Sequence, residues 1–439
     1  MVKFKLPKHY LKIFFLLLVV FALGIGVGQK FIGTIQNKPQ ANFEKNTQYV
    51  GLSPNKAFIS EIYDKIKENY WNNISDAELL DLFKLSIEKN GGNVTVAKFE
   101  NKDKLLDALK KASEDMNDEQ KNTFVSSVAS SVLTSLNPVG RSGLYTQKQE
   151  AELKNTVSNI NPEKDLYKDL GLAKGASETA VAQAYQKKAT ELAKDKSAEA
   201  QEKLKQLTYA KDTLTNKDQK EKYDQAGIEP TIFTKVFLPG ILYVQFKKFS
   251  PTSLDEFKKA FDSYQAADLN ALILDIRGNV GGAIDETAYF LGYFLGKGQY
   301  AFDFYHKGEF LPFKTPTDKL PSITKYKQVI VLIDQNTQSS AEMMAGSLKK
   351  YHVGILVGIP TKGWGTVERV FPLENQINKT EKYSVFLVHS ITLRNDNQPI
   401  EGRGVEPDIS IKDPAWPQKL FLYFNNQVLV NNIRDLLSQ

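Results

Sequence analysis

The hydrophobic positions change their rhythm along the chain. From residue 56 to 136 they recur at helical spacing, with Ile59, Ile62, Tyr63 and Ile66 on one face of a segment that ends near Tyr70. The same spacing predicts helices over 76–89, 102–116 and 117–136. Ser75 and Asn101 stand at two of the starts, where a short polar side chain can accept the orphaned first N–H groups. Asn137-Pro138 and Gly140 break the run, and 147–157 resumes it. A second helical block spans 162–227: Leu166, Leu170 and Leu172 lead in, Ser177 can cap a helix carrying Val181, Ala184, Tyr185, Ala189 and Leu192, and a further helix carries Leu204, Leu207, Ala210 and Leu214. After Pro230 the pattern alternates. Strands are predicted at 240–246, 271–276, 329–333 and 354–357, helices at 253–266, 284–296 and 340–351, then a β-rich stretch to Ile411 and one or two closing helices within 416–437. Such alternation predicts an α/β core of packed layers.

The first thirty residues differ from all of this. Lys3, Lys5, Lys8 and Lys12 precede an apolar run over 13–28 that ends at Lys30. A basic flank followed by such a run is expected to be an uncleaved N-terminal transmembrane helix, Tyr10 and Leu11 extending it toward spanning length. A cleaved signal peptide is the alternative, left open by Ala22, Gly24 and Gly26, although no Ala-x-Ala site is present. Either reading puts the rest of the chain outside the cytoplasm, at the cell membrane. The expected organisation is an anchor or signal (1–30), a polar linker (31–55), a helical N-terminal region (56–158), the small helical module (162–228), the α/β core (230–412) and a helical tail (413–439).

Composition narrows the chemistry. The 439 residues are 41% hydrophobic and 25% charged, with a net charge of +6 dispersed among alternating lysines and glutamates, so no nucleic-acid surface is indicated. Without cysteine there are no disulfides, thiolate metal sites or cysteine nucleophiles. His9, His306, His352 and His389 are scattered outside any zinc-ligand spacing, so no metal or other cofactor is expected.

The helical module carries Asp165-Leu166-Tyr167-Lys168-Asp169-Leu170-Gly171, Ala184-Tyr185 and Glu221-Lys222-Tyr223-Asp224-Gln225-Ala226-Gly227, and in these stretches it resembles a J domain. The family's functional His-Pro-Asp falls on Ala193-Lys194-Asp195, of which only the aspartate is retained. The resemblance thus implies a packing or substrate-contacting module rather than a stimulator of a chaperone ATPase.

Two stretches of the core could carry chemistry. Asp275-Ile276-Arg277-Gly278-Asn279-Val280-Gly281-Gly282 is a glycine turn after a buried strand, which can bring backbone N–H groups toward a developing oxyanion or can be needed only for a tight turn. Ser339 and Ser340 open a helix. There a serine hydroxyl lies at the positive end of the helix dipole, or serves merely as a cap. Together with Asp334–Gly346, Ser135-Leu136-Asn137-Pro138, the 61–70 helix and Gly402-Arg403-Gly404-Val405-Glu406-Pro407-Asp408, these stretches resemble the C-terminal processing (tail-specific) serine peptidases. The resemblance implies a crotonase/ClpP-like layered core, a protein or peptide substrate, Ser339 as nucleophile, and oxyanion-hole N–H groups from Gly281 or Gly282 and from Ser340. It leaves a homo-oligomer open.

The chain departs from that family at the base. The family's Thr-Phe-Gly-Lys-Gly-x-Val-Gln corresponds to Thr361-Lys362-Gly363-Trp364-Gly365-Thr366-Val367-Glu368, so Trp364 takes the place of the base lysine and Glu368 that of the supporting glutamine. Lys362, two residues before Trp364, is a candidate relocated base, because residues two apart in an extended segment project to one side. The J-like module occupies the slot of the family's PDZ domain. The expectation is therefore a membrane-anchored extracytoplasmic serine endopeptidase with an impaired base, or alternatively a pseudopeptidase acting as a peptide-binding or regulatory scaffold.

Overall fold

The computed structural model describes residues 49–264, 266, 268–394 and 396–438. The N-terminal apolar run expected to cross the membrane lies outside them. Among the described residues no helix is long and apolar enough to do so.

Helices α1 (Pro54–Asn69), α2 (Asp76–Lys89), α3 (Lys102–Ala112) and α4 (Asp118–Ser135) follow the predicted rhythm, with the Ser75 and Asn101 caps in place. Their shared face buries Phe58, Ile62, Phe83, Leu105 and Val128. The chain then forms β1 (Gly143–Thr146), a strand that the helical reading of this region did not contain, and α5 (Gln147–Val157).

The small module comprises α6 (Leu166–Leu170), α7 (Glu178–Leu192), α8 (Ala198–Thr215) and α9 (Lys217–Ala226), closed around Leu166, Tyr167, Val181, Leu207 and Leu214. Ala193-Lys194-Asp195 follows the end of α7, and the Asp195 carboxylate accepts the Ser197 N–H at 2.8 Å. The module docks on the core through Lys259–Asp218 (2.9 Å) and Lys222–Glu256 (3.4 Å).

The core begins with the hairpin β2 (Ile232–Phe237) and β3 (Ile241–Phe246), continues through α10 (Ser253–Asp262) and β4 (Ala271–Asp275), and reaches α11 (Thr287–Leu295) by a short 3-10 turn over Ile284–Glu286. Next come β5 (Tyr300–His306), β6 (Glu309–Lys314), the single turn α12 (Pro321–Thr324), β7 (Gln328–Ile333), α13 (Ser340–Lys350), β8 (Ile355–Gly358), β9 (Thr366–Pro372), β10 (Tyr383–Thr392) and β11 (Ile409–Ser410). The tail forms α14 (Trp416–Phe424) and α15 (Gln427–Leu437).

Six strands form one sheet in the order β11-β8-β7-β4-β3-β2, parallel from β11 to β3, with β2 antiparallel at the edge. One face packs against α10, α11 and α13, and the other against the tail helices. With both faces covered, β4 and β7 read as continuous apolar runs. A second sheet is organised around β10, which pairs with β9 and with β1 and β5. The layered α/β core expected from the sequence is therefore present, with a second sheet bridging it to the N-terminal helices.

In that second sheet His389 occupies the bulge between Val388 and Ser390, its ring stacked on His306 at 4.3 Å, and the His306 Nδ1 donates to the His389 carbonyl at 2.5 Å. Burial, with help from Arg369, pushes the His389 imidazole down to about 2, so the folded protein holds it neutral. Glu286, after the glycine turn, is pushed by burial and by Asp285 up to about 7. The two act on stability with opposite sign. Below the ordinary histidine value the unfolded chain takes up the proton that the folded chain refuses, so His389 stabilisation is lost as pH falls from about 6.5. Glu286 retains its proton longer in the fold, so its contribution is full below the ordinary carboxylate value and is lost as pH rises to about 7. Each slope is about 1.4 kcal/mol per pH unit at most. In denaturant titrations from pH 3 to 8, His389→Gln should flatten the acid limb and Glu286→Gln the limb near neutrality; an unchanged acid limb in His389→Gln would rule out this assignment.

Candidate active site

The site lies at the C-terminal ends of β4 and β7. At the end of β4 the buried Asp275 forms a bidentate pair with Arg277 (2.6 and 2.9 Å), and the Arg277 Nη1 also donates to the Leu436 carbonyl at 3.0 Å, tying the turn to the tail helix. Asn279, fully buried, braces the two glycines after it. Its Nδ2 donates to the Phe246 carbonyl and its Oδ1 accepts the Gly281 N–H, both at 2.9 Å. Gly282, at φ 135°, lies so near Phe249 that a Cβ would fall 1.9 Å from the Phe249 carbonyl oxygen; only glycine fits.

The second stretch is sewn to the first. Asp334 accepts the Gly278 N–H at 2.9 Å, and the Gln338 N–H donates to the Asn279 carbonyl at 2.9 Å. Ser339 then takes φ 58° and ψ −125°, a strained conformation for a side-chain-bearing residue, and α13 starts directly after it. A Cβ on Gly281 would lie 2.7 Å from the Ser339 Cβ, so the turn and the serine are in contact. The Ser340 hydroxyl donates to the Gly282 carbonyl at 3.3 Å.

This contact decides which backbone donors are open. The Gly281 N–H is taken by Asn279, whereas those of Gly282 and Ser340 have no hydrogen-bond partner among the described residues. Of the N–H groups named from the sequence, Gly282 and Ser340 are thus available to an incoming oxyanion and Gly281 is not.

Glu342 holds the opposite wall. Its fully buried carboxylate accepts the Ser339 N–H (2.8 Å), the Trp364 N–H (2.8 Å), the Gly363 N–H (2.7 Å) and the Thr361 hydroxyl (2.6 Å). Burial raises its pKa while the four donors pull it back. The loop over 361–365 is thereby fixed against the start of α13.

At the base position the Trp364 indole N–H donates to Glu368 Oε1 at 3.3 Å, and the same oxygen accepts the Thr366 hydroxyl at 2.5 Å. Burial lifts the Glu368 carboxyl. The Arg141 guanidinium lies 3.3 Å from the centre of the Trp364 ring and is itself held by Glu401 Oε1 at 3.0 Å, while Glu401 Oε2 accepts the Gly365 N–H at 2.7 Å. Trp364 and Glu368 therefore form a matched donor–acceptor pair locked from outside by an arginine of the N-terminal region. Lys362 does project to the side of Trp364, its Nζ 5.4 Å from the ring centre, but the residue is exposed to solvent. No lysine or histidine hydrogen-bonds the Ser339 hydroxyl among the described residues. Sequence reasoning missed Arg141 and the role of Glu401, which no local pattern connects to Trp364.

Residues 240–411 match the model of peptidase family S41, and residues 165–224 match that of the DnaJ domain. The probable CtpA-like serine protease of Staphylococcus epidermidis is 28% identical over 202 residues, covering 46% of this chain and 39% of its own length. That of Staphylococcus aureus is 26% identical over 202 residues, with 46% and 38% covered. The chain thus matches about two fifths of the length of these curated relatives. Among solved structures, a photosystem II D1 C-terminal processing protease is similar at 13% identity, covering 83% of this chain and 94% of its own, with a TM-score of 0.46. A lipoprotein from Streptococcus agalactiae is similar at 13% identity, with 90% and 100% covered and a TM-score of 0.45.

Proposed function

We propose that the chain, whose residues 240–411 match peptidase family S41, is a pseudopeptidase: a protein of the C-terminal processing type that retains the peptide groove around Ser339 and has lost the proton acceptor. The observation that carries this reading is the Trp364–Glu368 pair, pinned under Arg141 where the family's base lysine belongs. An indole cannot accept a proton from serine, and without a general base about 10²–10⁴-fold in rate is forfeited. The open N–H groups of Gly282 and Ser340 still suit them to bind a peptide carbonyl. The basic flank and apolar run of the first thirty residues support a membrane-anchored protein whose body faces away from the cytoplasm.

A second reading is favoured by the strained backbone of Ser339, a feature characteristic of reactive residues. In it the chain is a serine endopeptidase with Lys362 as relocated base. Incubating the full-length protein with an unstructured protein separates the two. The pseudopeptidase binds labelled peptides from that protein and produces no fragments beyond those of Ser339→Ala. Cleavage lost in both Ser339→Ala and Lys362→Ala would overturn this reading in favour of the second.

A further inference from the structure

The J-like module has no part in the site around Ser339, yet it builds one wall of a separate cleft. Tyr209 of α8 reaches the core, where its hydroxyl donates to Glu229 and its ring lies 5.6 Å from Phe233. Two ammonium groups flank that ring, Lys164 at 4.0 Å and Lys247 at 5.1 Å. Beside it opens a cleft of about 410 Å³, bounded by α8 of the module and by the segments around Pro230 and Lys248. Its charged lining is Lys164, Lys205, Lys247 and Lys248 against Glu202 and Glu229.

The charges do not cancel locally. Glu229 is occupied by Lys164 at 3.0 Å and by the Tyr209 hydroxyl, and Glu202 lies on the exposed side of α8. The ammonium groups of Lys205, Lys247 and Lys248 form no salt bridge or hydrogen bond among the described residues, Glu229 acting on Lys247 and Lys248 only from beyond contact; that of Lys247 lies against the Phe233 and Tyr209 rings, 4.5 and 5.1 Å away. Desolvation holds both Lys247 and Lys248 below the ordinary lysine value, with Lys164 adding repulsion at Lys247 and the Glu229 carboxylate offsetting part of the shift at both. Ammonium groups that are partly desolvated and lack an ion-pair partner within about 4 Å are relieved by an incoming anion.

We infer that this cleft is a binding site for an acidic segment of a polypeptide, whose carboxylates meet Lys247 and Lys248 while the module's Tyr209 wall encloses them. A polypeptide is favoured over a phosphate chain by the mixed signs at the rim. The adjoining hollow, which shares Lys248, is lined by Glu152 and Glu163 and would repel a uniformly charged polyanion. The location is also suited to a peptide. Lys248 is followed at once by Phe249, whose N–H donates to the Gly281 carbonyl and whose carbonyl accepts the Ala283 N–H, each at 3.0 Å. The backbone of Phe249, next in sequence to the lysine pair, therefore lies one strand spacing, about 5 Å, from the glycine turn.

The test uses the full-length protein and a labelled serine-glycine decapeptide with a run of glutamates at one end. The probe should bind with an affinity that falls as salt is raised. Lys247→Gln with Lys248→Gln should weaken binding roughly tenfold or more, whereas Lys247→Arg with Lys248→Arg should retain it. A decapeptide of serine and glycine alone, which lacks the carboxylates, reports binding around Ser339 by itself, so its failure to bind would refute the proposed function without touching this inference. Equal binding of a glutamine-substituted probe, an unchanged affinity in the double glutamine variant, or tighter binding of an oligothymidylate would each overturn it.

Discussion

Trp364→Lys combined with Glu368→Gln is expected to raise Ser339-dependent cleavage of an unstructured protein by about 10²-fold or more over wild type, the span a positioned general base contributes. Each half of the pair has its own reason. Trp364→Lys alone would place an ammonium beside the Glu368 carboxylate, which now accepts the indole N–H, and that carboxylate would hold the lysine charged and useless as a base. Glu368→Gln removes the counter-charge and leaves an oxygen to accept a hydrogen bond. Arg141 then helps, because a guanidinium now 3.3 Å from the Trp364 ring centre would disfavour a second positive charge there. Activity should rise toward alkaline pH as the new lysine deprotonates, and should vanish when Ser339→Ala is added, since nucleophile and base act as a unit. A double variant that binds peptide at wild-type strength and remains inert would show that more than the base has been lost.

How much of this site was legible in the sequence depends on how local its determinants are. The glycine turn, the serine at the start of α13 and the departure at Trp364 and Glu368 each lie within a stretch of ten or so residues, where residue type and spacing carry the information. Arg141 could not be found this way, since it lies more than two hundred residues from Trp364 and reaches it only because β1 pairs with β10 beside β9. The choice between Gly281 and Gly282 depended on where one buried amide, Asn279, directs its oxygen. The hairpin of β5 and β6 was hidden for another reason. Its turn is Lys307-Gly308, both at positive φ, and lysine at such a position gives none of the Asn-Gly or Asp-Gly signal that marks a tight hairpin. In the N-terminal region β1 falls in the break between two helical runs and has only four residues, too short a span for alternation to register.

Glu342 is the residue on which the geometry of the site depends, and Glu342→Ala is expected to destabilise the protein by about 3–5 kcal/mol, read as a lowered denaturation midpoint. One carboxylate now satisfies four donors, from Ser339, Thr361, Gly363 and Trp364, in a position with no exposure to solvent. Truncation leaves those donors facing a cavity, and each unsatisfied buried group costs about 1–3 kcal/mol before the surroundings relax. Some of that is recovered as the loop over 361–365 moves, which is why the expected loss is smaller than the sum. That movement has a second consequence. Freed of Glu342, the Ser339 N–H no longer anchors the strained φ of 58°, so the serine should relax and peptide binding should fall along with stability. Glu342→Gln keeps the volume and separates the two effects. Its single amide oxygen can serve the donors on one side of the group while its NH₂ meets donors on the other, so an intermediate loss of about 2 kcal/mol is expected. If Glu342→Ala were within about 1 kcal/mol of wild type and bound peptide equally well, the carboxylate would be a passenger, and the shape of the site would have to come from the glycine turn alone.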